Sequence, residues 1–271
     1  MTWTEQLDKS TGSRPRAVLM MEGERADVAK RLTELIDCDG VEVRAGHAWM
    51  PQGRPVLRDG VWDKSPADEV RLSRSNALID EAIQQTLQDW WLEVARGANV
   101  PNWDIASQCT VNGRDGLLLA EAKAHGGELA GATSGKTAPT TLNGWSNHQK
   151  IGRVIADAAA ELQFATRKPW AISRDRCYQL SNRFAWAWKL ASLGVPVVLV
   201  YLGFLDADEM PPPLFREQGA GEESWHEAVR SHAAGLVPEQ VWNKADAIEL
   251  DGVPLISLIR TFRQTFVPGG E

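Results

Sequence analysis

Asp104, Glu121 and Lys123 are the residues of this chain whose types and spacing suit chemistry. Glu121 and Lys123 stand two apart, so on a β-strand they share a face. Between them and Asp104 lies Asn112-Gly113-Arg114-Asp115, and Asn-Gly between alternating flanks is a strong hairpin signal. With that turn central, Val111 lies opposite Gly116, Asp104 opposite Lys123 and Ala106 opposite Glu121. This register brings Asp104 onto the face of Glu121 and Lys123. Ile105, Ser107, Cys109, Leu118, Ala120 and Ala122 take the other face, small or apolar as a packed interior requires. Two carboxylates are hard oxygen donors suited to Mg²⁺ or Mn²⁺, ions that keep several waters and accept phosphate oxygens. Such an ion acidifies a bound water and offsets phosphoryl charge. A lysine beside it orients that water, helps deprotonate it or stabilises the transition-state charge. A solvated polar face on any hairpin carries the same residue types, so the surrounding elements must decide.

The spacing predicts a helix over Asn76 to Arg96, with Leu78, Ile79, Ile83, Leu87, Trp90, Trp91 and Val94 in one apolar stripe and Gly97 as its stop. After the hairpin, Gly126 to Gly144 is rich in Gly, Thr and Ser and reads as a mobile loop. Ser146 to Phe164 reads as a helix with Ile151, Val154, Ile155, Ala158 and Leu162 inward, and Asp175 to Leu193 as another. Val195 to Phe204 is an almost unbroken apolar run, expected as a central strand buried on both faces and parallel to its neighbours. Before all this, Arg16 to Met21 reads as a short strand, Glu24 to Ile36 as a helix, and Val41 to Met50 as a strand. A turn-rich region follows to Pro66. Beyond Asp206, Pro211-Pro212-Pro213 is a stiff spacer. Glu222 to Ala234 and Pro238 to Lys244 then read as helical, and Ile256 to Phe266 as amphipathic enough to dock on the body.

Asp104 followed, after a hairpin, by Glu121-Ala122-Lys123, with flanking elements in this order, resembles the PD-(D/E)XK nuclease superfamily. The resemblance covers about the middle half of the chain, and Pro101 stands three positions before Asp104 rather than one. It implies a restriction-endonuclease-like fold, a three-layer α/β core with a central mixed sheet flanked by helices. Residues 71–206 would form that core, 1–70 an N-terminal α/β extension and 207–271 an acidic C-terminal appendage packed on it. It further implies Asp104, Glu121 and the Ala122 carbonyl as ligands of Mg²⁺ or Mn²⁺, and Lys123 as the catalytic lysine. One branch of that superfamily carries a glutamine on the last core helix with a tyrosine one turn later; Gln179 matches the glutamine and Arg183 stands at the tyrosine. Some members complete the metal shell with a glutamate of the first helix, for which Glu81 and Glu93 are the candidates. The implied activity is hydrolysis of phosphodiester bonds, in DNA ahead of RNA.

The formal charge of −7 argues against a protein that simply coats nucleic acid. Its distribution is uneven. Ala122 to Val200 carries ten Lys or Arg against four acids, a basic segment suited to a phosphate backbone. Lys136, Lys150, Arg153, Arg167, Lys168 and Arg183 are the candidate contacts, and Trp170 among the basic residues after Thr166 suits stacking on a base. Two competing readings stand beside the nuclease. Ala130 to Thr137, ending Gly135-Lys136-Thr137, fits a permissive phosphate-binding loop, and Val197 to Asp206 supplies an apolar strand ending in an acid. That loop needs a strand directly before it and a helix growing out of it, which Gly126-Gly127 and Pro139 oppose. The other reading is a nuclease-fold module that binds nucleic acid or protein without cutting, with a homodimer or a partner engaged through the C-terminal region. His226 and His232 are too far apart on a helix to share a metal. No apolar run is long enough to span a bilayer, and Met1 to Arg16 lacks an apolar leader. Cys38, Cys109 and Cys177 lack metal-ligand spacing and read as reduced thiols of a cytoplasmic protein.

Overall fold

A computed structural model describes residues 2–216 and 224–268. In chain order the elements are α1 (Ser13–Met20), α2 (Arg25–Ile36), β1 (Val41–Glu42), β2 (Trp49–Met50), β3 (Val56–Arg58), β4 (Val61–Asp63), α3 (Glu81–Trp91), β5 (Ile105–Val111) and β6 (Arg114–Lys123). They continue with α4 (Gly126–Gly131), α5 (Leu142–Thr166), α6 (Tyr178–Ser192), β7 (Val197–Leu205), α7 (Trp225–Ala233), β8 (Glu249–Leu250) and β9 (Val253–Arg263). One mixed sheet runs β1-β5-β6-β7-β9-β8, with β2 also pairing β5; β3 and β4 form a separate hairpin. The β5–β6 pair is antiparallel, while β6, β7 and β9 are mutually parallel. Helices cover both faces, giving three layers. The apolar residues of α1 and α2 pack with Ile105, Leu118, Ala120, Val200 and Leu258. Those of α3, α5, α6 and α7 pack with Ala106, Leu117, Leu119, Leu199 and Ile259. As expected, β7 is buried along its whole length and parallel to its neighbours.

Several expectations are corrected. The β5–β6 turn is the two residues Asn112 and Gly113, both in the left-handed region at φ 50° and 79°, as a tight hairpin requires. Val111 therefore pairs with Arg114 and Ile105 with Ala120, a register two residues from the expected one. Continuing it places Asp104 opposite Glu121 instead of Lys123. A shift of two leaves every side chain on its expected face, so the convergence survives. Arg16 to Met21 is not a strand: Ser13–Met20 is helical. A short run buried nearly all round carries no readable period, and Pro15 in the first turn is the helix signal that was available. The expected strand Val41 to Met50 is two separate strands of two residues each, both on β5. The expected loop begins with the six-residue α4, capped by the His125 side chain, which accepts from the Gly127 N–H at 3.2 Å.

The start and end of the chain both enter the architecture. Residues before 70 supply the helices of one layer and the strands β1 and β2 at one edge. Ile256 to Phe266 does not dock from outside; most of it belongs to β9, which pairs with β7 over nine positions from Val197↔Leu255 to Leu205↔Arg263. Only Glu239–Val241 of the second expected C-terminal helix is helical, as a single 3₁₀ turn. Glu222 and Glu223, at the expected start of α7, lie outside the described residues.

Candidate functional site

The site forms where the hairpin opens. Towards its end β6 carries Glu121 and Lys123 on the face that α6 covers, and both are buried. Asp104 immediately precedes β5, and its Oδ2 accepts the Ala122 N–H at 2.7 Å. A strand residue aims its N–H and C=O at the same neighbouring strand, so the Ala122 carbonyl also faces the Asp104 side. From α6, one turn beyond Gln179, comes Arg183. Its Nε donates to Glu121 Oε2 at 2.7 Å, and its Nη2 lies 2.6 Å from the same oxygen. Nη2 also donates to the Asn102 carbonyl at 2.8 Å, and the guanidinium lies 4.5 Å from the Trp103 ring centroid. Lys123 Nζ donates to the other Glu121 oxygen, Oε1. Glu121, only 1% exposed, is thus held by two cations.

Electrostatics divide the two acids. Burial works against the Glu121 carboxylate, but the charges of Arg183 and Lys123 outweigh it and hold its pKa below the ordinary value. Asp104 has no such clamp. Burial, with the neighbouring charges of Glu121 and Glu69, pushes its pKa up to about 8. The crowding of the pair thus falls on Asp104, the acid without a guanidinium partner. Burial disfavours the Lys123 ammonium, yet Glu121 and Asp104 together raise its pKa above the usual value.

A cleft of about 460 Å³ opens over this cluster, lined by Asp104, Glu121, Lys123, Gln179 and Arg183 among others. It also brings in residues that carried no sequence signal. Glu69, from the loop before α3, accepts from the Asn102 side-chain amide and pairs with Arg14 at 3.3 Å. Glu128, in the first turn of α4, accepts the Ser13 N–H at 3.3 Å and hydroxyl at 3.2 Å, and the Ala124 N–H at 2.6 Å. These bonds tie α1 to α4 across one side of the cleft. Glu81 and Glu93, expected as added acids from a helix over Asn76 to Arg96, do not line it; the helix is only Glu81–Trp91, and Glu93 beyond its end pairs instead with Lys150.

The expected backbone-binding residues separate into two groups. Arg183 and Lys136 lie at the cleft and an adjoining hollow. The other four lie elsewhere on the surface of α5 and just beyond it. Lys150 donates to the Asp89 and Leu92 carbonyls at 2.6 and 3.0 Å, fastening α5 to the end of α3. Arg153 is exposed on α5, Arg167 is its left-handed C-cap beside Phe164, and Lys168 is exposed one residue on. Trp170 is packing and not a stacking platform: it is buried, edge-on to Phe184, with its Nε1 donating to Thr166 Oγ1 at 2.9 Å. Around Gly135-Lys136-Thr137 the phosphate-loop geometry is missing, since β6 ends at Lys123 and α5 begins only at Leu142.

Fold and site together define a three-layer α/β protein with a recessed acid–lysine–arginine cluster at the open end of a central hairpin. No protein-family model, curated protein or solved structure matches the chain. Among the described residues no helix is long and apolar enough to cross a membrane, and no cluster of three His, Cys, Asp or Glu side chains is already arranged around an ion position. All three cysteines are free.

Proposed function

We propose that the chain is a metal-dependent phosphodiesterase of the restriction-endonuclease-like type, acting on nucleic acid and on DNA ahead of RNA. The observation that carries this reading is the convergence of Asp104, Glu121 and Lys123 on one cleft from three positions of a single hairpin. The run from α3 through the hairpin and α5–α6 to the parallel strand β7 supports the fold assignment, as does the position of the acids at the hairpin's open end. The donor set fits Mg²⁺ or Mn²⁺: Asp104, Glu121 and the Ala122 carbonyl are hard oxygens, and Asp104, raised to about 8, is a carboxyl group short of positive charge. When bound, the ion would acidify a water and offset charge on the phosphoryl group.

The chain's own residues divide the remaining work. Arg183 keeps Glu121 ionised and fixes its Oε2. Lys123, bonded to Glu121 Oε1 inside the cleft, is placed to orient water and stabilise developing charge. Gln179, partly exposed at the first turn of α6, is placed to hydrogen-bond a phosphate oxygen or a water. Labelled single- and double-stranded DNA and RNA, incubated with Mg²⁺, Mn²⁺ or EDTA, test the reading. Metal-dependent cutting that Lys123→Ala and Glu121→Gln each abolish is the expected result, and cutting unchanged in both variants would refute the assignment.

A second reading has one observation in its favour. Glu121 is satisfied on both oxygens by Lys123 and Arg183, as in a structural ion cluster. A module that binds nucleic acid or a protein without cutting would show binding in the same assay with no metal-dependent product.

A further inference from the structure

The cleft continues beyond the acids. A second hollow of about 440 Å³ adjoins it, with Asn102, Gln179 and Arg183 belonging to both walls. The two differ in their acids. The first holds Asp104, Glu121, Glu69 and Glu128, with Lys123, Arg183 and Arg14 beside them. The second has no acid in its lining; it offers the side-chain amides of Asn99 and Gln179, the Tyr178 side chain, and Lys136, while Asn182 in its wall already accepts from Arg183 Nη1 at 3.0 Å. The Lys136 ammonium makes no ion pair among the described residues and lies 4.9 Å from the Tyr178 ring centroid. Burial alone lowers its pKa, the mark of an amine drawn partly out of water without a counter-charge.

The backbone holds that amine in place. The Lys136 N–H donates to the Arg174 carbonyl at 2.8 Å, and the Cys177 and Tyr178 N–H groups donate to the Thr133 and Ser134 carbonyls at 2.9 and 3.0 Å. Gly135 lies so close to Asp175 that a Cβ there would sit 2.5 Å from the Asp175 carbonyl oxygen, so the loop is seated on the start of α6 by close contact.

We infer that this hollow binds one nucleotide of a single-stranded nucleic acid, next to the phosphodiester held at the acids, with its phosphate on Lys136 and its base among the amides. The inference rests on the phosphodiesterase reading and adds the form of the substrate. An unpaired lysine beside an acid-free wall attracts a phosphate. Side-chain amides, each both donor and acceptor, suit the edge of an unstacked base. A duplex is stiff and keeps its bases inward, whereas a single strand bends and turns a base outward. The recess at Glu121, closed on one side by the Ser13–Glu128 bond, favours the strand that bends.

Fluorescence anisotropy of a labelled single-stranded DNA and of its duplex, with Ca²⁺ present to neutralise the acids, tests the inference. The single strand should bind tighter than the duplex. Lys136→Ala should weaken single-strand binding on the order of tenfold and make the slope of log K against log[salt] shallower by about 0.7, one phosphate contact's share. Lys136→Arg should restore both, and the melting temperatures of the variants report that each is folded. Wild-type affinity and slope in Lys136→Ala, or a preference for the duplex, would overturn the inference. Cleavage with Mn²⁺ is scored separately. Lys136-dependent binding by a protein that cuts nothing would remove the phosphodiesterase reading and keep the single-strand site. Cutting by a protein whose binding ignores Lys136 would do the reverse.

Discussion

Two ends of the same sheet face behave in opposite ways. At one end Leu117, Leu119 and Leu199 lie under α5 and α6, where Trp91 and Trp186 meet at 5.4 Å in a core fully removed from water. Two and four residues beyond Leu119 on β6, with the same pleat, stand Glu121 and Lys123, also buried but charged. The dry end is held by contact area alone. At the charged end each ion needs a partner, and the partners come from elsewhere in the chain: Arg183 from α6, the Ala122 N–H for Asp104, Arg14 and Asn102 for Glu69. Burial therefore does not separate core from site in this protein. What separates them is charge: the ionisable groups gather at one end, and among them Asp104 is the acid whose pKa burial and the charges of Glu121 and Glu69 raise.

Substitutions at the two ends sharpen this contrast. The largest effect is expected on chemistry: Lys123→Ala should lower metal-dependent cleavage by about 10²–10³-fold or more, measured as initial rates on single-stranded DNA. Next comes Arg183→Ala, which strips one of the two cations from a buried carboxylate and should cost about 3–5 kcal/mol in urea unfolding. If Arg183 only packed against Trp103, Arg183→Met would restore stability, and it should not. At the dry end Leu199→Ala should cost about 2–5 kcal/mol by opening a cavity, while leaving divalent-ion affinity of the folded protein unchanged. An equal loss of ion affinity would mean the two ends are not independent.

The last contrast concerns pH in metal-free protein. An acid whose folded pKa is raised binds its proton more tightly in the folded than in the unfolded chain. Its contribution to stability is then full below about pH 4, falls as pH rises, and is gone above about 8. Asp104→Asn should flatten that decline and raise the melting temperature at pH 8 in EDTA, by about 2–4 °C for each kcal/mol relieved. A variant that melts lower than wild type at pH 8 would show Asp104 to be stabilised there and not strained.

Much of the fold could be read locally. The helices α2, α3, α5 and α6 and the strand β7 all have periodic or unbroken apolar patterns long enough to identify their type. The hairpin and its polar triplet followed from Asn-Gly and alternation, and survived a wrong register because the error was an even number of residues. What stayed hidden depends on distant partners. Buried on all sides, α1 shows no stripe, and its Arg16 is buried against Glu209, 193 residues away. The sequence pattern of β9 did not say that its partner is β7 and not solvent. Glu69 and Glu128 join the site from loops and a short helix whose placement no local pattern states. Arg183 was legible as a polar residue on α6, but its clamp on Glu121 was not, because that pairing spans 62 positions.

The central claim is that Asp104 and Glu121 together hold one divalent ion. Titration of Mn²⁺ into wild type and Asp104→Asn, followed by the loss of the free-ion signal in electron paramagnetic resonance, tests it without requiring turnover. One site in the wild type, weakened at least about tenfold in Asp104→Asn, is the result the account predicts. Equal binding in the two proteins, or none in the wild type, would contradict it.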